Sequence, residues 1–254
     1  MPELKALIFD VDGTLADTER DGHRVAFNRA FAEAGLDWNW SVELYGKLLE
    51  VTGGKERMQH YLDKYRSDYR QPANIKDLIA QLHAAKTRHY TQLLAEGSIP
   101  LRPGVKRLLE EAKSQGMRLA IATTTTPANV TALLENALAP DGPSWFEVIA
   151  AGDIVPAKKP APDIYFYALD KMRLKPEDCL AFEDSYNGLQ SSLQARLKTV
   201  ITINDYTKDH DFSGAVLVLD HLGDLGQSFT VLSGQVGWTT YVDLDLLHHL
   251  YRSP

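Results

Sequence analysis

Apolar residues follow two different patterns along this chain. Residues 4–9 (LKALIF) form a short apolar run bounded by charged residues, which predicts a buried strand of a parallel sheet. From residue 17 to about residue 97 the apolar positions instead recur at helical spacing. This stretch is too long for a connecting loop, so the pattern predicts a separate block of helices inserted after the first strand.

After Arg102 the strand and helix patterns alternate. Helices are predicted to begin at Pro103-Gly104, at Pro127, at Pro162 and after Ser185. Strands are predicted at residues 118–123, 147–150, 180–182, 199–203 and, as the last candidate, 216–219. Such alternation is typical of an α/β fold, in which a Rossmann-like parallel sheet carries helices on both faces.

These patterns divide the chain into three parts. Residues 1–16 and 98–225 are predicted to form an α/β core domain, and residues 17–97 an α-helical cap domain. Residues 226–254 form a C-terminal extension that we expect to pack on the core, and no function is predicted for it.

Composition and charge narrow the class of protein. The 254 residues carry a net charge of −7, which gives no broad basic surface for nucleic acid. Cys179 is the only cysteine, so the chain cannot form an internal disulfide or a cysteine-based zinc site. No apolar run approaches a membrane span, and the N-terminal sequence does not resemble a signal peptide. We therefore expect a cytoplasmic monomer without nucleic-acid or membrane partners.

Polar side chains cluster where the predicted strands end. Asp10 and Asp12 lie in a DVDGT segment after the first strand, and Thr123 ends the second. Lys159 lies in an AKKPAPD segment, and the pair Glu183-Asp184 ends the fourth strand. In a parallel sheet these segments meet at one edge, which is where open α/β sheets bind their ligands.

This set of residue types suits phosphoryl transfer. The Asp10 carboxylate can attack phosphorus, and Asp12 can serve as general acid and then as general base. Thr123 and Lys159 would bind the transferring phosphate. Mg²⁺ would be held by Asp10, the backbone carbonyl of Asp12, and Asp184. Glu183 either positions water ligands of the metal or caps the following helix.

The four segments, in this order, resemble the haloacid dehalogenase superfamily of aspartate phosphotransferases. The resemblance covers about residues 1–225, and the helical insert lies where that family has its α-helical cap. It implies a Mg²⁺-dependent phosphatase that works through an aspartyl-phosphate, with Asp10, Asp12, Glu183 and Asp184 at the metal. Its implied partner is a small-molecule sugar phosphate or bisphosphate.

Three longer segments are similar to the CbbY group of that superfamily, which acts on xylulose-1,5-bisphosphate. They are DTERDGHRVAFNRAF, ELYGKLLEVTGGKERM and KKPAPDIYFYAL. The resemblance implies that Glu19, His23, Lys55 and Arg57 of the cap bind the distal part of the substrate. The alternatives are that GGKER is only a solvated loop running into a helix and that His23 is an ordinary surface histidine.

The second motif departs from the usual pattern. Four threonines, Thr123–Thr126, run together before a proline, so it stays open which hydroxyls face the phosphate. Thr124 and Thr125 are the further candidates for contact with the substrate.

The sequence is also compatible with two other functions. A phosphomutase of the β-phosphoglucomutase type would share the aspartyl-phosphate and differ only in what accepts the phosphoryl group. A non-catalytic binding protein could use the same fold. The intact set of Asp10, Asp12, Lys159 and Asp184 argues against the second alternative, because a binding protein needs neither a nucleophile nor an acid/base.

Overall fold

The computed structural model describes residues 3–252 and shows two compact units. An α/β unit contains the chain up to Asp17 and from Pro100 onward, and a helical unit contains Thr18–Ile99. Within the described residues, no helix combines the length and the hydropathy needed to cross a membrane.

The α/β unit is built on a mostly parallel sheet. Its strands are β1 Ala6–Phe9, β2 Arg118–Thr123, β3 Val148–Ala151, β4 Cys179–Glu183, β5 Lys198–Thr202, β6 Leu217–Leu219 and β7 Val231–Ser233. Their order across the sheet is β3-β2-β1-β4-β5-β6-β7. All neighbouring pairs are parallel except β6 and β7. The predicted α/β fold class is confirmed.

The burial of the central strands explains why they could be predicted from the sequence. β1 is buried on both faces, as is expected for a central parallel strand covered by helices, and it therefore reads as a continuous apolar run. The helices of this unit are α5 Val105–Ser114, α6 Pro127–Leu133, α7 Asp163–Met172, α8 Tyr186–Gln194 and α9 Leu244–Arg252. In α5 the predicted apolar stripe is the buried face.

The helical unit contains four α-helices among its described residues: α1 Arg24–Glu33, α2 Val42–Leu48, α3 Gly54–Tyr65 and α4 Ile75–Ala95. A turn of π-helix, Glu19–His23, leads into α1. Aromatic rings fill its core: Trp40 packs against Phe27, Phe31 and Tyr61 with ring centroids 4.7–5.5 Å apart. Packed aromatic groups of this kind make up much of the apolar area that a small helical unit can bury.

The C-terminal region adds structure that the pattern did not predict. β6 is not the last strand, because Val231–Ser233 pairs with it in the antiparallel sense. α9 joins the α/β unit through the Leu244 amide, which donates to the Glu111 carboxylate at 3.0 Å. Tyr251 in the same helix donates its hydroxyl to the Glu177 carbonyl at 2.5 Å.

Candidate active site

The ends of three adjacent strands bring the predicted core residues together. Phe9, the last residue of β1, is paired with Ile121 of β2 on one side and with Phe182 of β4 on the other. Asp10 follows β1 directly, and its amide donates to the Phe182 carbonyl at 3.0 Å. Thr123 ends β2 and Glu183 ends β4, so these side chains lie along one edge of the sheet.

Lys159 connects two of the acidic groups. Its ammonium donates to Asp10 Oδ1 at 2.6 Å and to Glu183 Oε1 at 2.5 Å, and all three side chains are buried. Burial alone would lower the pKa of Lys159, but the carboxylates of Asp10 and Glu183 raise it above its ordinary value. The lysine therefore remains a positive charge beside Asp10. Its neighbour Lys158 lies 3.1 Å from Asp153 instead.

Glu183 is held from a second side by a residue that the sequence did not indicate. The Tyr165 hydroxyl donates to Glu183 Oε1 at 2.5 Å, and Tyr165 is completely buried. A Cβ on Gly188 would lie 1.9 Å from Glu183 Oε2, so only glycine leaves room for this carboxylate. Ser185 caps the N-terminus of α8, because its hydroxyl accepts from the Gly188 amide at 3.1 Å. Capping is therefore not the role of the Glu183 side chain.

Three carboxylates form a cluster suited to a cation. Asp10, Glu183 and Asp184 each offer an oxygen, and these oxygens lie within 4.8 Å of one another. Burial raises the pKa of Asp184 to about 7, and the Glu183 charge acts in the same direction. Burial also raises the pKa of Asp10, while Lys159 opposes this effect. Buried, mutually repelling carboxylates with hard oxygen ligands fit Mg²⁺.

Asp12 lies in the tight turn that follows β1. Gly13 has a φ of 83°, a left-handed conformation that favours glycine, and its amide donates to the Ala16 carbonyl at 2.8 Å. The Thr14 amide donates back to the Val11 carbonyl at 3.2 Å, which closes the turn. The DVDGT segment thus forms a compact turn, which carries the second carboxyl of the predicted chemistry, Asp12, two residues beyond Asp10.

The threonine segment is ordered at the end of β2. Thr123 is buried, and its hydroxyl oxygen accepts from the Thr125 amide at 3.3 Å. Accepting this bond leaves the hydroxyl proton of Thr123 able to point to a ligand. The Thr125 hydroxyl accepts from Asn129 at 3.4 Å, and Thr124 is only half-buried. The three threonines therefore differ in surroundings.

In the helical unit Arg57 belongs to an internal polar network. Its guanidinium donates to the Tyr45 hydroxyl at 2.9 Å and to the Leu48 carbonyl at 3.2 Å. Tyr45 in turn donates to the Glu19 carboxylate, which lies 3.9 Å from Arg57. Two of the predicted substrate residues, Glu19 and Arg57, are thus joined through a tyrosine that the sequence did not single out.

The GGKER segment is the ordered start of α3. Gly53 has a φ of 99°, and a Cβ on Gly54 would lie 2.9 Å from the His83 ring, so α3 approaches α4 closely at this point. Lys55 is exposed, whereas Arg57 is buried. A helix begins within this segment, as the alternative of a solvated loop running into a helix predicts, but that alternative is wrong for Arg57, whose side chain is buried.

His23 is buried and belongs to a basic cluster, so it is not a surface histidine. The buried Lys86 ammonium lies 2.8 Å from His23 Nδ1 and 5.2 Å from the Tyr90 ring centroid. Burial lowers the pKa of the nearby His83 to about 4, and the charges of Lys86 and Lys55 act in the same direction. The positive charges that act on this part of the helical unit are those of Lys86 and Lys55.

Comparison with known proteins shows the family to which this chain belongs. Residues 4–196 match the family model described as haloacid dehalogenase-like hydrolase, and the chain belongs to that family. Members of this class are hydrolases, and the curated relatives support a phosphatase that acts on sugar phosphates.

Within the family the chain is similar to CbbY proteins. It is 54% identical to CbbY of Rhodobacter capsulatus over 84% of this chain and 91% of the relative. It is 46% identical to the plasmid-encoded CbbY of Cupriavidus necator over 97% of both chains. The crystal structure of a CbbY mutant from Rhodobacter sphaeroides in complex with xylulose-1,5-bisphosphate matches with a TM-score of 0.81. That match has 46% identity over 88% of this chain and 96% of the crystallised one.

Proposed function

We propose that this phosphatase removes the 1-phosphate of xylulose-1,5-bisphosphate to give xylulose 5-phosphate, in a Mg²⁺-dependent reaction through an aspartyl-phosphate at Asp10. The observation that supports the proposal most directly is the buried contact of Asp10 with Lys159 beside Glu183 and Asp184. The substrate is proposed because a similar CbbY protein has been crystallised with that bisphosphate.

In the first half-reaction an Asp10 oxygen forms a bond to phosphorus as the bond from phosphorus to the sugar oxygen breaks. Asp12 donates its proton to the leaving sugar oxygen as general acid. Thr123 and Lys159 hold the transferring phosphoryl oxygens, and the lysine charge offsets part of the negative charge. When bound, Mg²⁺ would neutralise further charge from a site formed by Asp10, Asp12, Glu183 and Asp184.

In the second half-reaction water attacks the aspartyl-phosphate. Asp12, now ionised, takes a proton from that water, the bond between Asp10 and phosphorus breaks, and inorganic phosphate leaves. Both carboxylates return to their starting states, so the cycle closes without another reactant. The buried position of Asp10 limits the access of bulk water to the intermediate.

We assign recognition of the remainder of the substrate to the helical unit, acting as a cap. Lys55 supplies an exposed ammonium at the start of α3, and His23 lies in a basic cluster with Lys86. Glu19 and Arg57 form a connected acid and base that suit sugar hydroxyls and a phosphate dianion. These positively charged side chains would bind the second phosphate of a bisphosphate and so favour it over a monophosphate.

The test is phosphate release with Mg²⁺ from four compounds: xylulose-1,5-bisphosphate, ribulose-1,5-bisphosphate, β-glucose-1-phosphate and an aryl phosphate. We expect kcat/KM for xylulose-1,5-bisphosphate to exceed the others by about a hundredfold, equivalent to about 2.7 kcal/mol of transition-state binding. EDTA should abolish the release, and added Mg²⁺ should restore it. Formation of glucose-6-phosphate without net phosphate release would identify a mutase instead.

A further inference from the structure

Asn204 contacts the acidic cluster and has no role in the reaction proposed above. It lies two residues beyond the end of β5, and its side-chain Nδ2 donates to Asp184 Oδ2 at 2.7 Å. Asp184 is one of the three buried carboxylates described above. A hydrogen bond from a neutral donor to one oxygen restrains rotation of the carboxylate without adding charge.

The orientation of the Asn204 amide is fixed by its own turn. The Tyr206 backbone amide donates to Asn204 Oδ1 at 2.9 Å, so the oxygen end of the side chain is already used. The Asn204 backbone amide donates to the Thr207 hydroxyl at 3.0 Å, and the Thr207 amide donates to the Asn204 carbonyl at 3.1 Å. The nitrogen end must therefore face Asp184.

Arg102 anchors the strand end that carries Asn204. Its guanidinium donates to the Ile203 carbonyl at 2.5 Å and to the Asp220 carbonyl at 2.7 Å. It also donates to the carbonyl of Gly13, in the turn that carries Asp12. One buried arginine thus holds the backbone next to Asn204 and the backbone of the DVDGT turn together.

The same turn packs directly on the hydrogen-bonded pair. A Cβ on Gly13 would lie 2.3 Å from Asp184 Oδ2 and 2.5 Å from Asn204 Nδ2. Gly13 is therefore required both by its left-handed backbone and by the space that Asp184 and Asn204 occupy. The pair is enclosed on this side, which leaves the carboxylate few alternative orientations.

We propose that Asn204 is a positioning residue that holds the Asp184 carboxylate in the orientation required for binding a divalent cation. The inference rests on the proposed function only in taking the acidic cluster as the metal site. Outer hydrogen-bond partners of metal ligands typically change metal affinity by about 10–100-fold when they are removed.

The experiment compares two variants that remove different hydrogen-bonding groups of the Asn204 side chain. Asn204→Ala removes both the turn acceptor and the donor to Asp184. Asn204→Ser keeps an oxygen that can accept from the Tyr206 amide but is too short to supply the amide donor. Asn136→Ala is the matched control, because Asn136 is an exposed asparagine whose side chain donates only to a carbonyl of its own helical segment.

The primary measurement is binding of Mn²⁺ alone, followed by the electron paramagnetic resonance signal of free Mn²⁺ with no substrate present. We expect both Asn204 variants to bind Mn²⁺ about 10–100-fold more weakly and the control to bind normally. The Mg²⁺ concentration for half-maximal aryl phosphate hydrolysis should rise in parallel. The turnover rate of each Asn204 variant should be closer to that of the wild type at saturating Mg²⁺ than at low Mg²⁺.

Normal Mn²⁺ binding by Asn204→Ser would overturn the proposal, because it would assign Asn204 to the turn alone. Normal binding by Asn204→Ala, or a loss of kcat with unchanged metal affinity, would also contradict it. If the wild type bound Mn²⁺ in an Asn204-dependent way but hydrolysed no sugar phosphate, the positioning role would stand. The proposed function alone would then fail.

Discussion

The two units of this protein bury different sets of charged groups. The α/β unit gathers three carboxylates around the single ammonium of Lys159. The helical unit buries the cationic side chains of Arg57 and Lys86, and the Glu19 carboxylate lies 3.9 Å from Arg57. Burying charges of like sign carries a desolvation cost that packing alone does not recover. The first cluster therefore suits a cation and the second an anion.

The comparison also separates two ways of using a buried charge. In the α/β unit the acidic groups lie at the ends of strands in a rigid sheet, and their hydrogen bonds from Lys159 and Asn204 hold them within one cluster. In the helical unit Arg57 is already bonded to Tyr45 and Leu48, so it stabilises the fold as well as contributing charge. Substitutions should therefore affect turnover in the first unit, and stability together with substrate affinity in the second.

The largest effect is expected from Asp10→Asn. We expect kcat to fall by about four orders of magnitude or more, because the amide cannot form the acyl-phosphate. The metal-free variant should also melt at a higher temperature than the wild type, because one buried negative charge next to Glu183 and Asp184 is gone. Steady-state phosphate release and thermal melts in EDTA measure the two effects. Near-normal turnover would exclude Asp10 as nucleophile.

A smaller loss is expected from Thr123→Val, which keeps the side-chain shape at the end of β2. Removing one preformed donor to the phosphoryl oxygens should lower kcat by about a hundredfold. Thr131→Val, in the middle of α6, is the matched control and should leave kcat unchanged. Equal kcat values for Thr123→Val and the wild type would remove Thr123 from the phosphate site.

Substitutions of Lys55 and Arg57 should distinguish substrate affinity from the stability of the helical unit. Lys55→Ala should raise KM for the bisphosphate about tenfold, equivalent to about 1.4 kcal/mol, and leave KM for a monophosphate unchanged. The melting temperature should not change, because Lys55 is exposed. Arg57→Ala should in addition lower the free energy of unfolding by about 1–3 kcal/mol, because Tyr45 and Leu48 lose a buried donor. Equal KM changes for both substrates would refute recognition of a second phosphate.

The smallest effect concerns pH and the metal. The pKa of Asp184 rises from 3.8 to about 7 in the metal-free fold, so the protonated form contributes stability below about pH 4. That contribution is lost as pH rises through 7. A bound cation replaces the proton, so Mg²⁺ should raise the melting temperature more at about pH 8 than at about pH 5.5, by about 4–8 °C. An equal Mg²⁺ effect at both pH values would contradict the assignment of Asp184 to the metal.

The site residues that could be predicted from the sequence are those that lie at the end of a buried strand. Asp10, Thr123 and Glu183-Asp184 were found because the apolar runs before them are nearly continuous. β7 was missed because Val231–Ser233 is exposed and only three residues long, so it has no apolar pattern. α9 was missed although Leu244, Leu247 and Leu250 repeat every three residues.

The supporting residues of the site were harder to predict for a physical reason. Tyr165 acts through its terminal hydroxyl, and its ring looks like any other apolar residue of an amphipathic helix. Asn204 is a single asparagine whose contact with Asp184 depends on how β5 and β4 align. Its position just beyond a predicted strand was the available signal. Lys86 is distant in sequence from His23, and only the packing of α4 against α1 brings them together.

The central claim is that Asp10 carries the phosphoryl group during turnover. The most direct measurement is acid quenching during steady-state hydrolysis of xylulose-1,5-bisphosphate, followed by mass spectrometry of the peptide that contains Asp10. We predict that this peptide gains the mass of one phosphoryl group and that the gain disappears in Asp10→Asn. Rapid phosphate release with no phosphoryl group on that peptide, or with the group on another residue, would contradict it.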